Sequence, residues 1–251
     1  MVRLIFLVTI LTSGLLAPAK PMKGLAMAHS EYQQDLSSLS VSWFYNWGVD
    51  QNLLKDSRYV PMSRCGEAVK LPKGYSGYLL VFNEPNNQEP YGCGISPATA
   101  ISRYKALVTV YPKAKMVVGA VSAWDSVYAG NWLKTFVSQV KSNKLPTPYA
   151  YALHGYREEW ITVKNLESWW TSQQKLTGTK IWITEYNDVS GNLTNIKTLT
   201  TWLQSQSWVE RYAIFTNRSN GESWSIGSGV NLVDWKKGTL TSTGSYYAGV
   251  K

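Results

Sequence analysis

Short apolar runs alternate along the chain with longer amphipathic stretches. The runs predicted as strands cover residues 24–28, 41–45, 59–61, 78–83, 115–120, 149–154, 180–185 and 211–216. Several are almost continuously apolar, as parallel strands covered on both faces require. Between them the period changes to that of a helix. Ser96-Pro97 forms a cap and first-turn pair ahead of Ile101, Tyr104, Val108 and Tyr111, which share one face. Trp132, Leu133, Phe136, Val137 and Val140 make a second stripe; Leu166, Trp169 and Trp170 a third; Ile196, Leu199, Trp202 and Leu203 a fourth. Tryptophans at such positions are read as core.

Strands alternating with helices make this an α/β chain with a parallel sheet. The strand count predicts a single (β/α)8 TIM barrel, compact and with short loops, its helices short in the first and third units. A doubly wound open sheet is the alternative. The sequence shows no linker, repeat or low-complexity tract.

The N-terminus reads differently. Arg3 precedes an apolar stretch over residues 4–17, then Ala17-Pro18-Ala19. A positive start, a short apolar region and small residues at a cleavage point form a secretory leader. Residues 1–19 are therefore expected to be removed, leaving a catalytic domain over 20–251, secreted to the extracellular space or cell wall, with no membrane contact after cleavage and as a monomer.

Charge adds little. The chain has 25 Lys+Arg against 16 Asp+Glu, a net +9. Loss of Arg3 with the leader leaves 24 against 16, or +8. The densest cationic groups are only pairs, Lys113/Lys115 and Lys236/Lys237. No basic stripe forms, so nucleic acid is not an expected partner. Composition says more: 12 Trp and 16 Tyr stand against 5 Phe. Tyr and Trp are favoured where a ring is buried on one side and wet on the other, which points to an aromatic-lined polar cleft.

Cys65 and Cys93 each lie just beyond a strand-like run in a Gly-rich loop. In an oxidising compartment they are expected to form a disulfide, two free thiols being the alternative. With two Cys and two His and no recurring ligand spacing, neither a metal nor a cofactor is expected.

Four segments carry candidate chemistry. The strand at 78–83 ends in Asn83-Glu84-Pro85-Asn86, where Pro85 stops the pairing. The strand at 180–185 ends in Glu185-Tyr186. Both glutamates fall at C-terminal strand ends, where a barrel of this type places its active site. Two converging carboxylates are what glycosidic bond cleavage requires, one as acid and one below the anomeric carbon. The strand at 149–154 runs into His154-Gly155-Tyr156, putting His154 and Tyr156 on one side through the two-residue period. In Trp43-Phe44-Tyr45-Asn46-Trp47, the rings of Tyr45 and Trp47 offer stacking faces to sugars and Asn46 a hydrogen-bonding group. Trp124, Tyr128, Tyr186 and Trp224 also follow strands and extend the expected cleft.

Taken together, Lys23 to Ala26, Ser42 to Gly48, Tyr59 to Met62, Phe82 to Asn86, His154 to Tyr156 and Trp182 to Tyr186 resemble glycoside hydrolase family 128. Asn-Glu-Pro by itself is shared with many clan A barrel glycosidases; Ser-Trp-Phe-Tyr-Asn-Trp-Gly narrows the likeness. The resemblance implies a (β/α)8 barrel that hydrolyses β-1,3-glucan with retention, Glu84 being the general acid/base and Glu185 the nucleophile. It implies that Asn83 contacts the reacting sugar and that His154 and Tyr156 support the site. Many clan relatives end the eighth strand in a Trp, where this chain has Ile214-Phe215-Thr216-Asn217. Asn217 and Trp224 are expected to shape that subsite, with Asn86 beside Glu84 on the same face. A non-catalytic glucan-binding barrel is the rival reading.

Overall fold

The computed structural model describes residues 20–123, 126–222 and 226–251, with only the backbone at 126–130 and 228. Its eight strands are β1 (Met22–Ala26), β2 (Trp43–Tyr45), β3 (Met62–Ser63), β4 (Tyr78–Val81), β5 (Lys115–Ser122), β6 (Ala150–Arg157), β7 (Ile181–Asp188) and β8 (Val209–Phe215). Every pairing is parallel, in the order β2-β1-β8-β7-β6-β5-β4-β3. The ring closes through a bridge between Phe44 and Tyr59. There the Phe44 amide donates to Arg58 O (3.0 Å) and the Val60 amide to Phe44 O (2.9 Å). The third predicted strand is therefore displaced: residues 59–61 close the barrel against β2, and the ladder to β4 begins at Met62.

Around the ring lie α1 (Gln34–Ser38), α2 (Pro97–Val110), α3 (Ser126–Ser142), α4 (Val163–Thr177), α5 (Leu193–Ser205) and α6 (Ser242–Gly249). The first unit is short, as expected. The second holds only the 3-10 turn Leu53–Lys55, and no helix lies between β3 and β4 among the described residues. Ser96 caps α2 by accepting the Thr99 amide at 3.1 Å, with Pro97 at the first helical position. No helix among the described residues is long and apolar enough to cross a membrane.

Two cores follow from strand alternation. Leu25, Val81, Leu153 and Ile183 point outward and meet Tyr104, Leu133, Phe136, Leu166, Trp170, Ile196 and Leu199 of the helices. The lumen is filled by Trp43, Tyr45, Met62, Leu80 and Trp182, with alanines 26, 150, 152 and 213 making room for the indoles. A Cβ at Gly24 would lie 2.3 Å from the Trp43 ring, so only glycine fits there. Truncating either lumenal indole to alanine removes about 3–5 kcal/mol. The barrel interior is a packed plug, and the site sits on its upper end.

Candidate active site

Irregular backbone aims the candidate side chains. In β7, Ile183 and Tyr186 both face the helices although three positions apart, and the pairing slips on each side of them. The extra residue is a bulge, which turns Glu185 into the lumen where strict alternation from Trp182 would turn it out. In β5, Val118 and Val121 repeat this pattern around Gly119 (φ +117°) and Ala120 (φ +46°). The re-aimed Ala120 carbonyl accepts the Glu84 amide at 3.0 Å. Phe82 (φ +73°) and Glu84 (φ +41°) take left-handed conformations, a cost concentrated where backbone strain marks function. Gly92 packs under this corner; a Cβ there would meet Glu84 O at 2.2 Å.

The two carboxylates converge on one imidazole. His154 Nδ1 is hydrogen-bonded to Glu84 Oε1 at 2.9 Å and lies 3.4 Å from Glu185 Oε2. One ligating atom from each of Glu84, His154 and Glu185 falls within 4.8 Å of the others. Such a trio has the donor types a cation accepts, yet its hydrogen bonding already accounts for the arrangement. Glu185 accepts from Tyr45 Oη (2.8 Å), Trp47 Nε1 (2.9 Å) and Tyr156 Oη. Glu84 Oε2 accepts from Asn87 Nδ2 at 2.8 Å.

Electrostatics follow from burial. Desolvation is the largest influence on Glu185 and raises its pKa; the charge of Glu84 adds to it, while His154, Tyr156 and Tyr45 pull the other way. Burial works against protonation of His154, but the charge of Glu185 and the contact with Glu84 outweigh it and raise its pKa. Burial and then the Glu185 charge push the Tyr45 and Tyr156 phenols well up, so both remain donors. The result is a site in which proton positions are coupled.

Above it opens a cleft of about 920 Å³. Its walls include Trp47, Asn83, Glu84, Tyr156, Glu185 and Phe215, and on the rim Arg64, Tyr91 and Glu158. Glu84, Glu185, His154, Tyr156, Trp47 and Asn83 thus come together as the sequence suggests, His154 lying buried beneath. Cys65 and Cys93 are disulfide-bonded, with Cα atoms 5.5 Å apart, joining the loops that follow β3 and β4. Arg64 is held in this rim by Glu89 (3.0 Å) and Pro90 O (2.8 Å).

Other expected sugar contacts are placed elsewhere. Tyr186 is fully buried against the helices, its hydroxyl 2.7 Å from Thr200 Oγ1, because the β7 bulge sends it outward. Asn217 is fully buried and donates to Asp35 Oδ2 (3.0 Å), which also accepts from Arg218. It is a loop clamp. Asn86 exchanges two hydrogen bonds with the Ser122 backbone (3.2 and 3.0 Å), and Asn46 accepts from Tyr59 Oη at 2.7 Å. Neither lines the cleft. Tyr45 is fully buried and positions Glu185 instead of meeting solvent. Trp124 and Trp224 lie outside the described residues, as does the Tyr128 side chain. Sequence reasoning missed Phe215, Arg64, Tyr91 and Glu158. Phe215 was within reach, since two-residue alternation from Ala213 turns it inward; its ring packs 5.7 Å from Trp47.

A family model described as glycosyl hydrolase catalytic core matches residues 24–247. The chain belongs to that family. Solved structures agree with this glycoside hydrolase assignment. A subgroup I endo-β-1,3-glucanase of glycoside hydrolase family 128 from Amycolatopsis mediterranei, in complex with laminaritriose, is 25% identical, with TM-score 0.70 over 90% of this chain and 98% of that one. A subgroup VI exo-β-1,3-glucanase from Aureobasidium namibiae is 19% identical, with TM-score 0.71 over 91% and 96%. A subgroup IV endo-β-1,3-glucanase from Lentinula edodes is 19% identical, with TM-score 0.71 over 90% and 98%. No curated protein matches the chain. The family 128 resemblance read from the sequence is thereby met.

Proposed function

We propose that the chain is a secreted endo-β-1,3-glucanase that cleaves by retaining double displacement. The observation that carries this reading is the Glu84–His154–Glu185 group, its ligating atoms within 4.8 Å of one another on the cleft floor. Carboxyl groups of retaining glycosidases lie about 5–5.5 Å apart, against about 6.5–9.5 Å where a water must fit between them. The β-1,3-glucan substrate is that of the family 128 relatives.

In the first step Glu185 attacks the anomeric carbon, the bond to the leaving oxygen breaks, and Glu84 gives its proton to that oxygen. In the second, Glu84 takes a proton from water, the water oxygen attacks the same carbon, and Glu185 leaves. Three donors aimed at Glu185 stabilise its ionised form against the burial that opposes it. Once Glu185 becomes an ester, the charge it carried beside Glu84 and His154 is gone. Asn83 Oδ1, buried and without a hydrogen-bond partner among the described residues, accepts a hydroxyl of the reacting sugar in this reading.

Product analysis on laminarin, with β-1,4- and mixed-linkage glucans as controls, tests the activity. A ladder of laminari-oligosaccharides is expected from laminarin. Release of one short product from the outset would overturn the endo mode, and binding without release would overturn hydrolysis. Secretion is tested by N-terminal sequencing of the exported protein, expected to begin at Lys20.

A further inference from the structure

Glu158 has no part in the chemistry described so far. It follows β6 directly, two residues beyond Tyr156, so it stands about 6–7 Å further up the same wall. Its backbone is fixed by a tight turn in which its amide and that of Ile161 donate to each other's carbonyls (3.2 and 3.3 Å). It is only 3% exposed yet lines the cleft. Its Oε1 is buried without a hydrogen-bond partner among the described residues. The neighbouring cation is engaged elsewhere, Arg157 Nε lying 3.6 Å from the buried Asp188.

A buried carboxyl is normally paired or hydrogen-bonded, and one left open in a binding cleft is explained by a ligand that completes it. Burial pushes the Glu158 carboxyl up to about 7. Near neutrality a share of it carries a proton and both donates and accepts, matching the two roles of a sugar hydroxyl.

We propose that Glu158 binds a hydroxyl of the glucan outside the reacting sugar and is a specificity-determining residue of the cleft. The proposal rests on the glucanase reading. It predicts that affinity and stability move in opposite directions, because an open carboxyl kept for substrate burdens the free protein.

The test uses Glu185→Gln, which should bind without cleaving, and adds Glu158→Ala or Glu158→Gln. Calorimetry with laminarihexaose should show about tenfold weaker binding for the Ala variant and substantial recovery for Gln. The melting temperature of either should hold or rise by on the order of 2–4 °C. In the otherwise native chain, Glu158→Ala should raise KM for laminarin more than it lowers kcat. Unchanged affinity and KM would overturn the proposal while leaving the glucanase reading intact. A loss of affinity accompanied by a fall in melting temperature, unrelieved by Gln, would overturn it in favour of a structural role. If native chain cleaves no laminarin and Glu185→Gln binds no laminarihexaose, the glucanase reading falls and this proposal with it.

Discussion

At the N-terminal end of the barrel, Arg211 sits with its guanidinium 4.4 Å from the ring centres of both Tyr78 and Trp182 and 5.7 Å from that of Trp43. Beside it Glu210 accepts from Trp182 Nε1 and Tyr149 Oη, each at 2.7 Å. At the C-terminal end, Glu84 and Glu185 crowd one imidazole, while Asn83 Oδ1, His154 Nε2 and Glu158 Oε1 lack hydrogen-bond partners among the described residues. Both ends bury charge. Below, ring faces cover the Arg211 cation, whose Nε has no hydrogen-bond partner among the described residues, and Trp182 and Tyr149 satisfy Glu210. Above, compensation is incomplete, and a polar ligand has valences to fill. The lower end is built for stability and the upper for chemistry, as barrels of this class divide their faces.

The largest expected effect is at the upper end. Glu185→Gln and Glu84→Gln should each lower kcat on laminarin by at least about 100-fold, the range in which acid–base groups act. Neither should lower the melting temperature, since each removes a buried carboxyl from a crowded site. A substantial drop would mean that these glutamates hold the fold, and the contrast between the ends would collapse.

Second is the covalent tie on the upper rim. Replacing Cys65 and Cys93 together with serine opens a loop with a sequence separation of 28. That should cost about 3–4 kcal/mol in denaturant titration. The loops it frees carry Arg64 and the Glu89–Tyr91 rim, so KM should rise as well.

Third, Arg211→Met should cost about 2 kcal/mol through loss of the cation over its rings. Activity per folded molecule should stay within about twofold, because the lumenal plug separates Arg211 from the cleft. A large loss in kcat would show the two ends to be coupled.

The smallest effect sharpens the upper site. The Tyr156 hydroxyl lowers the Glu185 pKa by its hydrogen bond. Removing it in Tyr156→Phe raises that pKa, and ionised Glu185 then disappears at a higher pH. The acid limb of the kcat/KM profile should move up, with about tenfold lower kcat, equivalent to one hydrogen bond of about 1.4 kcal/mol. A shift to lower pH would contradict the placement of the tyrosine.

What was legible in the sequence followed strand ends. Apolar runs interrupted by Asn83-Glu84-Pro85, His154-Gly155-Tyr156 and Glu185 mark both the sheet and its working face, because burial and function abut there. Trp47 was found for the same reason. The limits were local. Tyr186 was misplaced because a bulge shifts alternation by one residue, and nothing in Ile183-Thr184-Glu185-Tyr186 announces it. Asn46, Asn86 and Asn217 are polar residues at strand ends like Asn83, but their partners are backbone or carboxyl groups brought near only by folding. Glu158 and Arg64 lie in turns whose approach to the cleft depends on the path of whole loops. The closure at Tyr59 was hidden by a strand of two residues, too short to show a period.

The central claim, that Glu84 and Glu185 act as a retaining pair, is tested most directly by proton NMR of laminarin hydrolysis during its first minutes. The new reducing ends should appear first as the β-anomer and mutarotate later to the equilibrium mixture. Initial release of the α-anomer would contradict it.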